Sequence, residues 1–158
     1  MFGSRARKRA LRIFFATDVH GSDRCFRKFL AAAESYDADA LILGGDIAGK
    51  GLVPIRAVNG SLTAKVRGED VTVPREEEDR LQAEINRLGF YSVLVSSDEV
   101  ERMEGDPQLV DGAFRQAITD QIQEWCRLAE ERLAPRVRCL ITPGNDDPLA
   151  IEIGRAHV

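Results

Sequence analysis

Three short apolar runs along the chain each stop abruptly at glycine or at polar side chains. They are Leu11 to Gly21 (LRIFFATDVHG), Ala40 to Asp46 (ALILGGD) and Val137 to Asp147 (VRCLITPGNDD). Short β-branched and aromatic runs are typical of strands buried on both faces, and we expect Ile13 to Phe15 to form a central strand. Because open α/β sheets carry their sites in loops at the carboxyl ends of strands, the three runs predict one shared site.

Helical periodicity separates these runs. After a cap at Ser22 or Asp23, the spacing i, i+3, i+4, i+7 predicts a helix that lies on the sheet, with its apolar stripe at Phe26, Phe29, Leu30 and Ala33. The first two runs therefore form a βαβ unit with a right-handed crossover. The longest helical pattern spans 108–133, and its stripe is Val110, Phe114, Ile118, Ile122, Trp125, Ala129 and Leu133.

The block at about 50–107 follows a different pattern, in which half-exposed alternation replaces the buried runs. Asn59-Gly60 between β-prone segments is a strong hairpin signal, and we expect a meander from Ile55 to Val73. Further along, the pattern predicts a helix from Arg75 to Gly89, a strand from Phe90 to Val95 and a short helix from Asp98 to Met103. The block is thus a small α+β insertion, either a cap that selects substrates or a peripheral elaboration.

Composition narrows the class of protein only slightly. The 158 residues, 44% hydrophobic and 30% charged, describe one ordinary globular α/β domain. The net charge of −4 gives no reason to expect a nucleic-acid partner. No apolar run approaches the roughly 18 residues of a membrane span. The basic residues at the N-terminus, such as Lys8 and Arg9, are either a solvated flank or an arm that attracts phosphate.

The cysteines bear on the cellular compartment. Cys25, Cys126 and Cys139 lack C-x-x-C spacing. Two of them fall at apolar-periodic or strand positions, which favours buried thiols over a disulfide framework. The apolar run after the basic N-terminus is too short for a signal peptide. We therefore expect a reducing compartment, the cytoplasm.

The candidate metal ligands stand where the apolar runs end. Asp18 and His20 are two residues apart, so in extended geometry their side chains leave the backbone on the same side. Asp46 follows Gly44-Gly45, and Asn145 follows Pro143-Gly144. Each has a structural alternative: His20 as a hydrogen-bonded core histidine, Asp18 as a helix cap, and Asn145 as a left-handed turn residue.

Taken in order, D-x-H, G-G-D and G-N-D-D resemble the calcineurin-like metallophosphoesterases, whose pattern is D-x-H, G-D, G-N-[H/D]-[E/D] and then further histidines. The resemblance covers residues 12 to 148. It implies an α-β-β-α sandwich, of which residues 1–158 would be the N-terminal half with the inserted block inside it. It also implies a centre of two divalent metal ions.

The resemblance assigns roles to the four ligands. Asp18 and His20 would bind the first ion, Asp46 would bridge both, and Asn145 would bind the second through its side-chain oxygen. A hydroxide bridging the ions would attack a phosphomonoester or phosphodiester, in a small molecule or a macromolecule. Mixed nitrogen and oxygen ligands admit Mn, Fe, Zn, Ni or Co. The substrate and the oligomeric state stay open.

Asp146 and Asp147 are the candidate catalytic residues. A histidine often stands at the first position in the family, and because a carboxylate repels phosphate, that histidine's role does not transfer to Asp146. Asp147 matches the family's acidic position, which orients a neighbouring ligand. For both aspartates the structural alternative is a helix N-cap around Pro148.

The family's further histidines are the second departure from its pattern. His157 is the one histidine that follows the third motif, and we interpret it as a tail residue. We therefore expect the domain to be incomplete at its C-terminus, as the N-terminal portion of a longer protein. The alternative function is a non-catalytic scaffold of the same fold that binds a partner. Amidohydrolases are a third class, but they open with H-x-H rather than D-x-H.

Overall fold

The strands and helices follow the predicted order closely. This computed structural model describes residues 10–145 and residue 147. Its elements are β1 (Ile13–Ala16), α1 (Asp23–Ser35), β2 (Ala40–Gly44), β3 (Leu52–Val58), β4 (Ser61–Val66), β5 (Glu69–Pro74), a 3-10 turn (Arg75–Glu77), α2 (Glu78–Arg87), β6 (Tyr91–Val95), α3 (Ser97–Gly105), α4 (Pro107–Arg132) and β7 (Arg138–Thr142). The predicted mixed α/β class is confirmed.

The first sheet contains the three strands that precede the candidate ligands. Its order is β1-β2-β7, and both pairings are parallel. Phe15 pairs with Ile42, and Ile42 pairs with Leu140. Because all three strands run in the same direction, their carboxyl ends lie at one edge of the sheet, as the sequence predicted.

The expectation that β1 is a central strand buried on both faces is wrong. β1 lies at the edge of its sheet, where Ile13 is 53% and Phe15 is 61% exposed. The side chains of Leu41 and Leu43 face the helices and are fully buried. On the opposite face, nothing in the described part of the chain covers Ile13 and Phe15, so the apolar run is buried on one side only.

The second sheet is built from the predicted insertion. Its order is β5-β4-β3-β6, with a β3-β4-β5 antiparallel meander and β6 parallel to β3. Asn59 and Gly60 in the first hairpin turn have φ values of 49° and 80°, as a two-residue hairpin loop of this type requires. Leu81 and Ile85 of α2 are buried against one face of this sheet. The predicted meander and helix are confirmed.

The main core lies between α1, α4 and the first sheet. The rings of Phe26 and Trp125 stack with their centroids 4.3 Å apart and their planes within 3°. The indole Nε1 of Trp125 donates a hydrogen bond to Asp23 Oδ1 at 2.6 Å, which ties the middle of α4 to the start of α1. The first turn of α1 is capped by Ser22, whose hydroxyl accepts from the backbone N–H of Cys25.

The three cysteines are free thiols, and they differ in exposure. Cys139 is buried and Cys126 is half-buried, in agreement with the prediction for apolar positions. Cys25 is exposed, because it lies on the outer side of α1, and for this residue the prediction of a buried thiol is wrong. Within residues 10–145, no helix combines the length and the apolar character that crossing a membrane requires.

Two phenylalanines of opposite exposure test the placement of the core. Phe26 has no exposed surface, and Phe26→Ala should lower the free energy of unfolding by about 3–5 kcal/mol. Phe15 is 61% exposed, and Phe15→Ala should cost about 1 kcal/mol or less. Urea denaturation of both variants measures the difference. Equal losses would contradict the one-sided burial of the first sheet.

Candidate functional site

Three loops leave the carboxyl edge of the first sheet side by side. We call 17–21 the first loop, 45–49 the second loop, and 143–145 with 147 the third loop. The backbone N–H groups of Asp18, His20 and Gly21 donate to the carbonyls of Gly45, Asp46 and Ile47 at 3.2, 3.1 and 2.8 Å. Backbone hydrogen bonds therefore join the two segments past the ends of β1 and β2 and fix the first loop on the second.

Left-handed backbone is concentrated at the predicted ligands. Asp18, His20 and Asp46 have φ values of 59°, 43° and 50°. Non-glycine residues in sparsely populated conformations of this kind cost about 1–3 kcal/mol each and persist only where their surroundings enforce them. The first and second loops are therefore held in a strained shape by the contacts around them.

Asp18 and His20 approach each other at the open edge of the site. His20 Nε2 lies 3.9 Å from Asp18 Oδ1, and the hydroxyl of Thr17 donates to the other carboxylate oxygen. Their side chains are 61% and 34% exposed for Asp18 and His20. The prediction that the two converge is correct, but its reason is not, since the backbone turns left-handed at both residues instead of running extended.

Asp46 lies beneath the third loop. A Cβ atom on Gly144 would stand 2.5 Å from both the backbone nitrogen and Oδ1 of Asp46, and a Cβ on Gly45 would stand 2.9 Å from the Cα of Gly144. Only glycine at these positions lets the two backbones meet against the carboxylate. Asn145, the next residue, is exposed on the same loop. The second and third ligand-bearing loops are thus in direct contact.

Asp147 joins the second and third loops. It is 4% exposed, and its Oδ1 accepts from the N–H of Ala48 at 2.8 Å. Its Oδ2 accepts from the N–H groups of Ile47 and Gly144 at 3.2 and 2.7 Å. A carboxylate with three backbone donors is a fixed clamp behind the candidate ligands. Asp146 and His157 lie outside the described residues.

Sequence reasoning missed two residues that support the site. The hydroxyl of Tyr91, at the start of β6, accepts from the N–H of Gly49 at 3.0 Å. Nε2 of Gln121 donates to the carbonyl of Gly21 at 2.9 Å. Gln121 stands three residues after Ile118 and four before Trp125, so it lies on the apolar stripe of α4, and a polar residue at such a position is a sequence signal that could have indicated it. Nothing local indicates Tyr91.

The donor chemistry of the site fits divalent metal ions. Imidazole nitrogen, carboxylate oxygen and amide oxygen are ligands that Mn, Fe and Zn accept. Ligand atoms about 2 Å from one ion lie about 3–4 Å apart, which the separation of 3.9 Å between His20 and Asp18 matches. Across residues 10–145 and 147, no three His, Cys, Asp or Glu side chains form a group that could hold a metal ion. The described part of the chain brings two such donors together, Asp18 and His20.

Comparisons with protein-family models, with curated proteins and with solved structures found no match to this chain.

The clamp formed by Asp147 can be tested by removing its acceptors. Asp147→Ala would leave three backbone N–H groups without their partner, and we expect the free energy of unfolding to fall by about 2–4 kcal/mol. Asp147→Asn keeps one acceptor oxygen and should lose less. Urea denaturation measures both, and hydrogen exchange at Ala48 reports the local loss. Equal stability of wild type and Asp147→Ala would contradict the clamp.

Burial of Tyr91 predicts a loss of stability at high pH. Burial raises the pKa of Tyr91 from 10.0 to about 12, and the charges of Asp147 and Asp23 act in the same direction. Between these values the unfolded chain has released a proton that the folded chain keeps. The protonated Tyr91 hydroxyl therefore makes its full contribution to the free energy of unfolding below pH about 10. About 3 kcal/mol of that free energy is lost as the pH rises through about 12.

The measurement is the ultraviolet absorbance of the Tyr91 phenolate in a Tyr36→Phe background, followed against pH. Urea denaturation of wild type and Tyr91→Phe over the same range gives the stability, and the loss should be smaller in the variant. Titration of Tyr91 near pH 10 in the folded protein would refute the prediction.

Proposed function

We propose that this chain is a metal-dependent phosphoesterase of the calcineurin-like metallophosphoesterase superfamily, which hydrolyses a phosphomonoester or a phosphodiester. The observation that carries the proposal is the meeting of three loops, with D-x-H, G-G-D and G-N-D-D, at one edge of a parallel sheet. Active sites of open α/β sheets occupy this position.

The ligand roles follow the order of the loops. Asp18 and His20 would hold one ion, Asp46 would lie between two ions, and Asn145 would hold the second through its amide oxygen. Two divalent ions would supply an activated water as nucleophile and positive charge for the phosphoryl oxygens. The ions are Mn, Fe, Zn, Ni or Co, because the mixed donor set does not select among them.

The protein contributes fixed geometry. Asp147 holds the second loop by two N–H groups and the third loop by one, so the backbone around Asp46 is set before a ligand arrives. The partly exposed side chains of Asp18 and His20 leave the site open to a phosphoester from solvent. Because the loops are already ordered, less conformational entropy is lost when the metal ions bind.

The exposed face of the first sheet supports the sandwich fold of this family. Parallel sheets are normally covered on both faces. Phe15, Ile42 and Leu140 form an apolar row across the three strands, on the face away from α1 and α4. We propose that a second sheet packs on this row, as in the α-β-β-α sandwich, and that the described part of the chain is one half of that sandwich.

The same row favours the alternative function, a non-catalytic scaffold of this fold. Exposed apolar patches on folded domains often bind protein partners. Phe15 and Leu140, which are 61% and 50% exposed, would be the centre of such an interface. A scaffold can bind metal at the loops, so hydrolysis is the property that separates the two functions.

The proposed function sets the class of substrate, and the cysteines indicate the compartment. The substrate is a phosphoester in a small molecule or a macromolecule, and the ligand set does not choose between them. The three free thiols suit a reducing compartment, and we propose the cytoplasm.

Binding of Mn²⁺ is the first test. We expect the wild-type chain to bind Mn²⁺ and Asp46→Ala to bind it at least about ten-fold more weakly, since the carboxylate is a direct ligand. Asp70→Ala, at an exposed aspartate in β5, is the matched control and should bind like the wild type. Electron paramagnetic resonance of free Mn²⁺ gives the affinity. Absence of Mn²⁺ binding by the wild type would overturn the proposal.

Hydrolysis is measured with the same protein preparations after they are loaded with Mn²⁺. The substrates are p-nitrophenyl phosphate, a monoester, and bis(p-nitrophenyl) phosphate, a diester. The wild type and Asp70→Ala should release nitrophenol from at least one of them, and Asp46→Ala should not. Binding of Mn²⁺ without hydrolysis of either ester would favour the scaffold over the phosphoesterase.

A further inference from the structure

We propose that the turn at 88–90, which joins α2 to β6, is a positioning element that fixes His20 from the side of the inserted block. The sequence leaves the block as either a cap or a peripheral elaboration. The geometry points to a third role, in which one turn of the block packs against the backbone of the first loop. The consequence for metal binding rests on the proposed function, whereas the positioning of His20 does not.

Gly89 lies directly against the backbone of His20. Gly89 is buried and has a φ of 82°. A Cβ atom at this position would stand 3.1 Å from the carbonyl oxygen of His20 and 3.9 Å from its Cβ. The distance of 3.1 Å is tighter than an ordinary van der Waals contact, and the neighbouring atom belongs to the backbone. The turn therefore touches the peptide that carries the candidate ligand.

Gly49 continues this contact into the second loop. A Cβ on Gly49 would stand 2.9 Å from the carbonyl oxygen of Gly89, and a Cβ on Gly21 would stand 2.9 Å from the Cα of Gly49. We call Gly21, Gly49 and Gly89 the glycine stack. Its three backbones meet without room for side chains, so the two site loops and the turn are packed against one another.

Hydrogen bonds hold the three segments of the glycine stack together. The N–H of Lys50 donates to the carbonyl of Gly89 at 2.6 Å. Tyr91, two residues after Gly89, accepts from the N–H of Gly49 through its hydroxyl and donates its own N–H to the carbonyl of Gly51 at 2.9 Å. These bonds tie the start of β6 to the end of the second loop.

The first loop is confined from three directions. The second loop binds its N–H groups, Gln121 of α4 binds the carbonyl of Gly21, and the turn at 88–90 lies against the carbonyl of His20. A left-handed histidine relaxes when its surroundings stop enforcing that conformation. Displacing the turn should therefore change the backbone and the ring position of His20.

The test compares two glycines with the same backbone conformation. Gly89→Ala places a Cβ against His20, whereas Gly60→Ala, at a φ of 80°, meets nothing within 4 Å. Both variants carry the strain of a left-handed alanine, but only the alanine at position 89 is buried and meets neighbours, namely His20 and, at 3.9 Å, Cδ of the flexible Lys50 side chain. A His157→Gln background leaves His20 as the one histidine, since the chain has two.

The readout is the nuclear magnetic resonance signal of the His20 imidazole C–H groups in metal-free protein. We expect the signals to shift in Gly89→Ala and to stay at the wild-type position in Gly60→Ala. Circular dichroism checks that each variant folds. A folded Gly89→Ala with unchanged His20 signals would overturn the proposal.

Should Gly89→Ala not fold, Tyr91→Phe replaces it. This variant keeps the ring but removes the hydroxyl that binds Gly49, and the His20 signals should again shift. Unchanged His20 signals in folded Tyr91→Phe would overturn the proposal in that case.

Metal affinity tests the functional consequence separately. We expect Gly89→Ala to bind Mn²⁺ about ten-fold more weakly than Gly60→Ala, as when residues behind a ligand are altered. Equal affinities would overturn the link to metal binding. If the wild type binds no Mn²⁺, the proposed function fails, and the His20 signals in metal-free protein still decide whether the turn positions His20.

Discussion

The site depends on backbone hydrogen bonds that join the first loop to the second loop beyond the ends of β1 and β2. Three N–H groups of the first loop donate to three consecutive carbonyls of the second loop, from Gly45 to Ile47. Loops normally give up such pairing when strands end, and their side chains then have no fixed mutual geometry. Here the pairing persists while the backbone turns left-handed at Asp18, His20 and Asp46. The backbone positions of these candidate ligands are therefore set by main-chain hydrogen bonds, and Asp147 adds the third loop through backbone N–H groups that donate to its carboxylate.

Much of this arrangement could be predicted from the sequence, because its signals are local. The abrupt ends of the apolar runs predicted the three parallel strands that lead to one site, and Asn59-Gly60 predicted the meander. The edge position of β1 could not be predicted, since the apolar character of Phe15 does not say which layers cover it. The partners of the supporting residues could not be predicted: Tyr91 binds a residue 42 positions away, and Gln121 binds one 100 positions away. The apolar stripe of α4 can mark Gln121 as an unusual polar residue, but which residue it binds depends on the assembled fold.

The starts of β3 and β6 contribute residues to both hydrophobic cores, and this explains how the inserted block reaches the site. Phe90 packs with the core of the second sheet, and its neighbour Tyr91 packs with the main core, where its ring lies 5.7 Å from that of Phe114. Likewise Val53 belongs to the second core and Leu52 to the main core. Consecutive residues of a strand face opposite sides, so one pair of strands serves both cores.

This division separates the parts of the block that can affect the site from those that cannot. A Cβ on Gly60, in the hairpin turn at the far end of β3 from the second loop, would meet no atom within 4 Å. The turn at Gly89, in contrast, leads into the strand that the two cores share and touches the peptide of His20. Local opening of a folded unit spreads through the contacts that it shares with its neighbours. Loosening α2 or the start of β6 therefore removes one of the three constraints on the first loop, whereas loosening the meander tip leaves all three in place.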